Sequence, residues 1–205
     1  MAEHEHEHEH EHDHEHGEEE HEQELDEATA DRQREYLRRR ALAQIRQYPD
    51  VALRMSAREV TEFDEFLVQL VERLHELMHE AQGVGLAATQ LGVLQRVFVF
   101  QPDPDEPFRA VVNPRLTLDE TEKETEEEGC LSLGDVRVPV ERATKVVLEG
   151  KDPNGEDVRY ELDELAARVV QHENDHLDGV LTIDRTDPEN RKRALGALRP
   201  QPTFA

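Results

Sequence analysis

Cysteine, long apolar runs and positive charge are all scarce in this 205-residue chain. Its one cysteine, Cys130, cannot form an internal disulfide, which is typical of proteins in the reducing cytosol. No apolar run approaches the roughly 18 residues of a membrane-spanning helix. The first 24 residues also lack the apolar core of a secretory signal. We therefore expect a cytoplasmic protein without a membrane segment.

The charge balance is strongly acidic, with 24 Lys and Arg against 49 Asp and Glu and a formal net charge of −25. Because binding to a phosphate backbone needs an excess of cationic side chains, this balance argues against a specific nucleic-acid partner. Residues 187–205 reverse the trend and carry more basic than acidic groups. We expect a solvated C-terminal tail there, with a weak, transient ribosome contact as the alternative.

Low complexity marks the other end of the chain. Glu and His alternate from Glu3 to His16, and residues 1–24 contain neither Lys nor Arg. Such a segment cannot bury a core, so we expect a disordered His/Glu-rich tail over 1–24 and a single folded domain over 25–186. A weak metal reservoir or an appended tag are the alternative interpretations of the repeat.

Two helices and several short strands follow from the apolar patterns. Apolar residues, Phe66 among them, recur at three- and four-residue steps over 62–81, which predicts an amphipathic helix. A second helix is predicted from Asp163 to Leu177, ending near Gly179. Short strands are predicted between them, over 96–100, 110–112, 136–140, 145–149 and 158–162. This order of elements is typical of an α+β fold.

The run His172-Glu173-Asn174-Asp175-His176 lies in the second helix. Residues four apart share one helix face, so His172 and His176 can bind one metal ion beside Glu173. Cys130 is a natural third ligand, which leaves a fourth position for water, as in catalytic metal sites. A bound divalent ion lowers the pKa of water from 15.7 toward about 7, and Glu173 could carry the proton to a leaving nitrogen.

Two other metal interpretations are weaker. His75 and His79 are also four apart, but they have no acidic neighbour in the position of Glu173 and no nearby cysteine, so we expect ordinary surface histidines. One class of zinc protease shares the His-Glu-x-x-His pattern and requires a further histidine where this chain has Thr182. The residues thus favour amide hydrolysis at a Cys/His/His centre over that protease class.

An amide hydrolase also needs donors for the oxyanion of its tetrahedral intermediate. Gln90 can donate through a side-chain amide that does not titrate, and the backbone N–H of Leu131 follows the cysteine directly. Gly83 and Gly85 precede Gln90 and would let an extended substrate approach closely, although a simple turn at a helix end would also explain them.

Three motifs in this order resemble peptide deformylase: Gly83–Gln90, Glu128–Ser132 and Gln171–His176. The resemblance covers roughly residues 44–184. It implies short antiparallel strands packed around a central metal-binding helix. It further implies removal of the N-formyl group from the N-terminal formylmethionine of newly synthesised proteins, with release of formate. Another metallo-amidase or peptidase, or more distantly a non-catalytic metal-handling protein, remains the alternative.

The resemblance also implies roles for single residues. Ferrous iron is the expected metal, with zinc, nickel or cobalt as substitutes, and the catalytic residues would be Glu173, Gln90 and Leu131. The remaining assignments are metal ligands Cys130, His172 and His176, and substrate-binding residues Gly85, Val84 and Val169. Glu128 is expected to pair with Arg142. Asp175 is expected to help hold the metal-binding side chains in position without binding the metal itself. Two departures from the family pattern are Gly134, in place of a proline-containing loop, and Arg168, at the edge of the pocket.

Overall fold

The computed structural model describes residues 29–199, so the expected tail over 1–24 lies outside the described residues. Helix α1 covers residues 29–42. The later helices are α2 Glu65–Glu80, α3 Glu164–Leu177, α4 Thr182–Arg185 and α5 Pro188–Ala197, and two 3-10 helices cover Val51–Arg54 and Ala88–Leu91. The strands are β1 Gly85–Ala87, β2 Val97–Phe100, β3 Arg109–Leu118, β4 Lys123–Gly129, β5 Arg137–Ala143, β6 Lys145–Lys151 and β7 Asp157–Asp163.

All strand pairs in the two sheets are antiparallel. One sheet has the order β1-β2-β3-β6-β7, and β4 pairs with β5 in a separate hairpin. The five strands predicted from sequence correspond to β2, β3, β5, β6 and β7. β1 was missed because it is only three residues long, and β4 because its charged sequence lacks apolar alternation. β4 nevertheless forms, since every residue from Lys123 to Gly129 pairs with β5.

Helix α2 begins directly after Asp64, whose side chain caps its first turn. Asp64 accepts a hydrogen bond of 3.0 Å from the Leu67 backbone N–H, which satisfies one of the free donors of the first turn. The helix buries one stripe of apolar side chains, Leu67, Leu70, Val71, Leu74, Leu77 and Met78. The predicted helix is therefore confirmed, although Phe66, assigned to the apolar stripe, is 53% exposed.

Helix α3 lies at the centre of the molecule and packs against β1, β2, β5 and β7. Its polar side chains are buried as well as its apolar ones, and one of them, Gln171, joins α3 to β5. The Gln171 side chain accepts a hydrogen bond of 3.2 Å from the Ala143 N–H and donates one of 2.9 Å to the Ala143 carbonyl. The α+β fold around a central helix is confirmed.

The expected tail after residue 186 begins with a helix instead. Asp187 caps α5 by accepting hydrogen bonds of 2.9 and 3.0 Å from the N–H groups of Glu189 and Asn190. Ala194 is buried in a cluster with Leu53 and Leu181. A charged helix with few apolar residues gives little periodic signal, so the packing of α5 was not predicted. Within residues 29–199, no helix combines the length and apolarity needed to cross a bilayer.

Candidate metal centre

Three possible ligand atoms converge between α3 and the end of β4. The Sγ of Cys130 and one ring nitrogen each of His172 and His176 all lie within 4.8 Å of one another. Cys130 Sγ is 3.2 Å from His176 Nε2, and the two imidazole rings are 5.0 Å apart between centroids. Metal–ligand bonds of about 2.0–2.3 Å place the ligands of one ion within such distances. One thiol and two imidazoles therefore fit a divalent transition metal.

The outer side of His172 is fixed by Glu128. His172 Nδ1 lies 3.1 Å from Glu128 Oε2, which orients the ring. The expected pair between Glu128 and Arg142 is present, with two contacts of 3.0 Å. Burial opposes ionisation of this carboxyl, but hydrogen bonds from His172 and Arg142 outweigh it and lower the pKa of Glu128 to about 2.

Asp175 extends the same network along α3. Arg142 Nη1 donates to Asp175 Oδ2 over 2.6 Å, and Arg185 Nε donates to the same oxygen over 3.0 Å. The Arg142 guanidinium thus joins Glu128 to Asp175 while both side chains of the Arg142–Asp175 pair are buried. A buried arginine with two carboxylate partners holds β5 against the helix that carries the histidines.

Arg168 belongs to this network too. It is 8% exposed, and its Nη1 donates to Glu128 Oε1 over 2.8 Å and to the Val140 carbonyl over 3.0 Å. Its Nη2 donates to the Glu124 carbonyl over 2.9 Å. Sequence reasoning assigned Arg168 only to the pocket edge. Its position one helical turn before His172 was the signal that it could reach the same carboxylate.

Glu173 is placed as a proton carrier would be. It is 4% exposed, and no hydrogen-bond partner for its Oε2 exists among the described residues. Burial raises the pKa of Glu173 to about 7. A Cβ at Gly85 would lie only 2.4 Å from Glu173 Oε1, so the missing side chain of Gly85 makes room for this carboxyl group. The glycine thus serves a second purpose besides the predicted approach of a substrate.

Of the two predicted oxyanion donors, Gln90 lies beside the ligand cysteine. Gln90 Oε1 accepts from the Ala87 N–H over 2.8 Å, which turns the Gln90 Nε2 toward Ser132 Oγ at 3.1 Å and Cys130 Sγ at 3.9 Å. No hydrogen bond from the Leu131 backbone N–H is present within residues 29–199. The Leu131 N–H thus has no competing acceptor there, whereas Gln90 Nε2 already donates to Ser132 Oγ and has one further N–H to offer a reacting oxygen.

His75 and His79 do not form a second centre. His75 stacks on Phe108 with the ring centroids 3.8 Å apart, and His79 is exposed on α2. In the part of the chain that the structure describes, the cluster around Cys130 is the only group of three potential ligands.

A cavity of about 940 Å³ leads to the metal centre. Most of the residues predicted for the site line it: Val84, Gly85, Gln90, Cys130, Leu131, Val169, His172 and Glu173. The remaining one, His176, is 1% exposed. Helix α1 also lines the cavity, through Glu35, Arg38, Arg39 and Leu42, and sequence reasoning assigned no function to this segment.

The chain is similar in sequence to known peptide deformylases. The family model described as polypeptide deformylase matches residues 42–192. A peptide deformylase of Acidothermus cellulolyticus is 50% identical over 159 residues, 78% of this chain and 87% of that protein. Peptide deformylase 1 of Corynebacterium glutamicum is 43% identical over 166 residues, 80% of this chain and 98% of that protein.

Solved structures are similar as well. The crystal structure of peptide deformylase from Thermotoga maritima has a TM-score of 0.67 and 45% identity, covering 70% of this chain and 97% of that one. A peptide deformylase from Synechococcus elongatus, in complex with actinonin, has a TM-score of 0.71 and 35% identity, covering 75% of this chain and 85% of that one.

Proposed function

This chain belongs to the polypeptide deformylase family, whose enzymes remove the N-formyl group from nascent peptides, and we propose how its own residues carry out that reaction. The carrying observation is the buried Glu173 carboxyl group, next to three converging ligand atoms at the end of an open cavity. This combination favours a deformylase over a metal-handling protein, because metal storage has no use for a buried, unpaired carboxyl group beside the ion.

Cys130, His172 and His176 would hold the metal. A divalent ion bound there supplies Lewis acidity, which makes a water molecule acidic and a carbonyl carbon electrophilic. We propose ferrous iron, with zinc, nickel or cobalt able to replace it, since a thiolate and two imidazoles suit all four. Glu128 orients the His172 ring, and Arg142 and Arg168 hold Glu128 in place.

Glu173 would act as base and then as acid. It takes a proton from the attacking water and later gives it to the amide nitrogen, so that the C–N bond breaks and the products are formate and a free amine. The raised pKa of Glu173 suits both steps, because the group can gain and lose a proton near neutral pH. Gln90 Nε2 and the Leu131 N–H would donate to the oxyanion of the tetrahedral intermediate.

The peptide would be held by the edge of the main sheet. β1 is an edge strand, so the Gly85 backbone can hydrogen-bond to an extended substrate. Val84 and Val169 line the cavity and would contact the methionine side chain. We also propose a cytoplasmic location and a single catalytic domain over 25–186, to which α5 adds a further helix. Basic residues of α5, such as Lys192, would make a transient contact with the ribosome.

The test is formate release from formyl-Met-Ala-Ser under anaerobic conditions with ferrous iron restored. We expect turnover by the unaltered protein, and a loss of about 10²–10⁴-fold in kcat for Glu173→Gln with metal content retained. Cys130→Ala should lose both metal and activity. His79→Ala is the matched control, because this exposed histidine lies outside the cluster and should leave both unchanged. An inert unaltered protein with a full complement of iron would refute the proposal.

A further inference from the structure

Helix α1 adds a wall to the substrate cavity from outside the matched region. The family model begins at residue 42, whereas Glu35, Arg38 and Arg39 of α1 line the same cavity as the metal centre. Any peptide that extends from the metal toward solvent on this side meets α1. Residues 29–41 of this helix therefore lie outside the residues that the family model matches.

The last turns of α1 are held firmly against α2. Ala41 is completely buried in the core cluster that contains the apolar stripe of α2, and Leu42 packs against that cluster. Arg40 Nη2 donates to Glu80 Oε1 over 2.7 Å. These contacts fix the position of the preceding helical turn relative to the metal centre.

The arginines of the cavity differ in whether they have partners. Arg39 is paired with Glu35 over 2.7 Å, and Arg168 with Glu128 over 2.8 Å. In the described part of the chain, the side chains of Arg38 and of Arg137, which also lines the cavity, make no hydrogen bond or ion pair. Arg137 is exposed, whereas Arg38 is only partly exposed. A partly desolvated guanidinium without a partner gains more from a carboxylate than a fully exposed one does.

We propose that Arg38 is a specificity-determining residue that binds a carboxylate of the formylated peptide, downstream of its first residues. This inference rests on the proposed function. The guanidinium can form two parallel hydrogen bonds with one Asp or Glu side chain. Arg38 also offsets the unfavourable field that a chain of net charge −25 presents to an acidic peptide. The substrate class is thus formylmethionyl peptides with an acidic residue near the cavity mouth.

Steady-state kinetics on matched peptides test the proposal. The substrates are the C-terminally amidated peptides formyl-Met-Ala-Ser-Xaa and formyl-Met-Ala-Xaa-Ser, in which Xaa is Glu, Gln or Lys, so that the Xaa side chain supplies the only downstream carboxylate. For Arg38→Gln we expect KM for the preferred Glu peptide to rise about threefold to tenfold, with kcat unchanged and the Gln peptide unaffected. Arg38→Glu should reverse the preference, so that the Lys peptide has the lowest KM.

Arg34→Gln is the matched control, because Arg34 lies on the same helix, pairs with Asp31 and does not line the cavity. It should leave every KM unchanged. The inference is overturned if the Glu-to-Gln ratio of KM values is the same in the unaltered protein and both Arg38 variants, or if Arg34→Gln changes it equally. In either case formate release continues, whereas failure of the proposed function would abolish release from every peptide.

Discussion

Replacement of Gly85 by alanine should separate catalysis from metal binding. The new Cβ would lie 2.4 Å from Glu173 Oε1, 2.8 Å from its Cδ and 2.9 Å from its Cγ. An ordinary contact needs about 3.4 Å or more, so the Glu173 carboxyl group has to move by about 1 Å. Because Glu173 is almost fully buried, it has little space into which to move.

The expected loss follows from that displacement. A misplacement of about 1 Å costs on the order of 10²-fold in rate, which corresponds to about 2.7 kcal/mol of transition-state stabilisation. Metal content should remain at one ion per chain, because the three atoms nearest to the new methyl group all belong to Glu173 and none to the ligands Cys130, His172 and His176. The assay is kcat for formate release together with metal analysis of the same anaerobic preparation.

Two glycines supply controls. A Cβ at Gly83 would lie 2.8 Å from Leu131 Cδ1, the flexible end of a partly buried side chain, so Gly83→Ala should cost much less in kcat. A Cβ at Gly196 in α5 would meet no atom within 4 Å, and Gly196→Ala should stabilise the fold by about 0.5–1 kcal/mol. The reasoning is refuted if Gly85→Ala keeps the kcat of the unaltered protein, or if it loses its metal.

Three further results are expected. The folded-state pKa of Glu128 lies below the ordinary 4.5, so its ionised carboxylate should stabilise the metal-free protein by about 3 kcal/mol. This stabilisation should be complete above pH 4.5 and lost as pH falls toward 2. Urea unfolding at a series of pH values should show the loss for the unaltered protein and not for Glu128→Gln. Asp175→Ala removes one partner of the buried Arg142 and should lower the free energy of unfolding by about 3 kcal/mol. Asp178→Ala removes the more exposed ion pair with Arg96 and should lower it by less than about 1 kcal/mol. Removal of the metal by a chelator should abolish formate release and lower Tm, and restored ferrous iron should reverse both effects. The reason is that a metal that binds only the folded state stabilises that state, so an unchanged Tm would contradict a metal bound at this centre.

Helix α2 shows how far local patterns reach. Its apolar stripe and its polar start are encoded within twenty neighbouring residues. The structure agrees with the prediction except that the helix starts at Glu65 and not at residue 62, and that Phe66 is exposed. β1 and β4 show the opposite case. The first is a short edge strand and the second a charged one, so each exists because of its partner strand and not because of its own sequence pattern.

The residues of the site fall into the same two groups, those that local sequence predicts and those that only tertiary contacts bring together. His172, Glu173 and His176 follow from helical spacing, since residues four apart share a face in any helix. The convergence of Cys130 with them is a tertiary contact, and spacing alone could only make that cysteine a candidate. The space that Gly85 leaves for Glu173, and the contact of Arg168 with Glu128, join segments far apart in the chain.

The order and chemistry of its motifs were enough to determine the family of this protein, its metal-binding residue types and the reaction they support. The folded structure alone decided which charges are paired, which carboxyl group is buried without a partner, and that α1 borders the substrate cavity. The physical reason is that hydrogen bonds, desolvation and steric contacts depend on distances between side chains, and a linear sequence specifies those distances only within a single helix or strand.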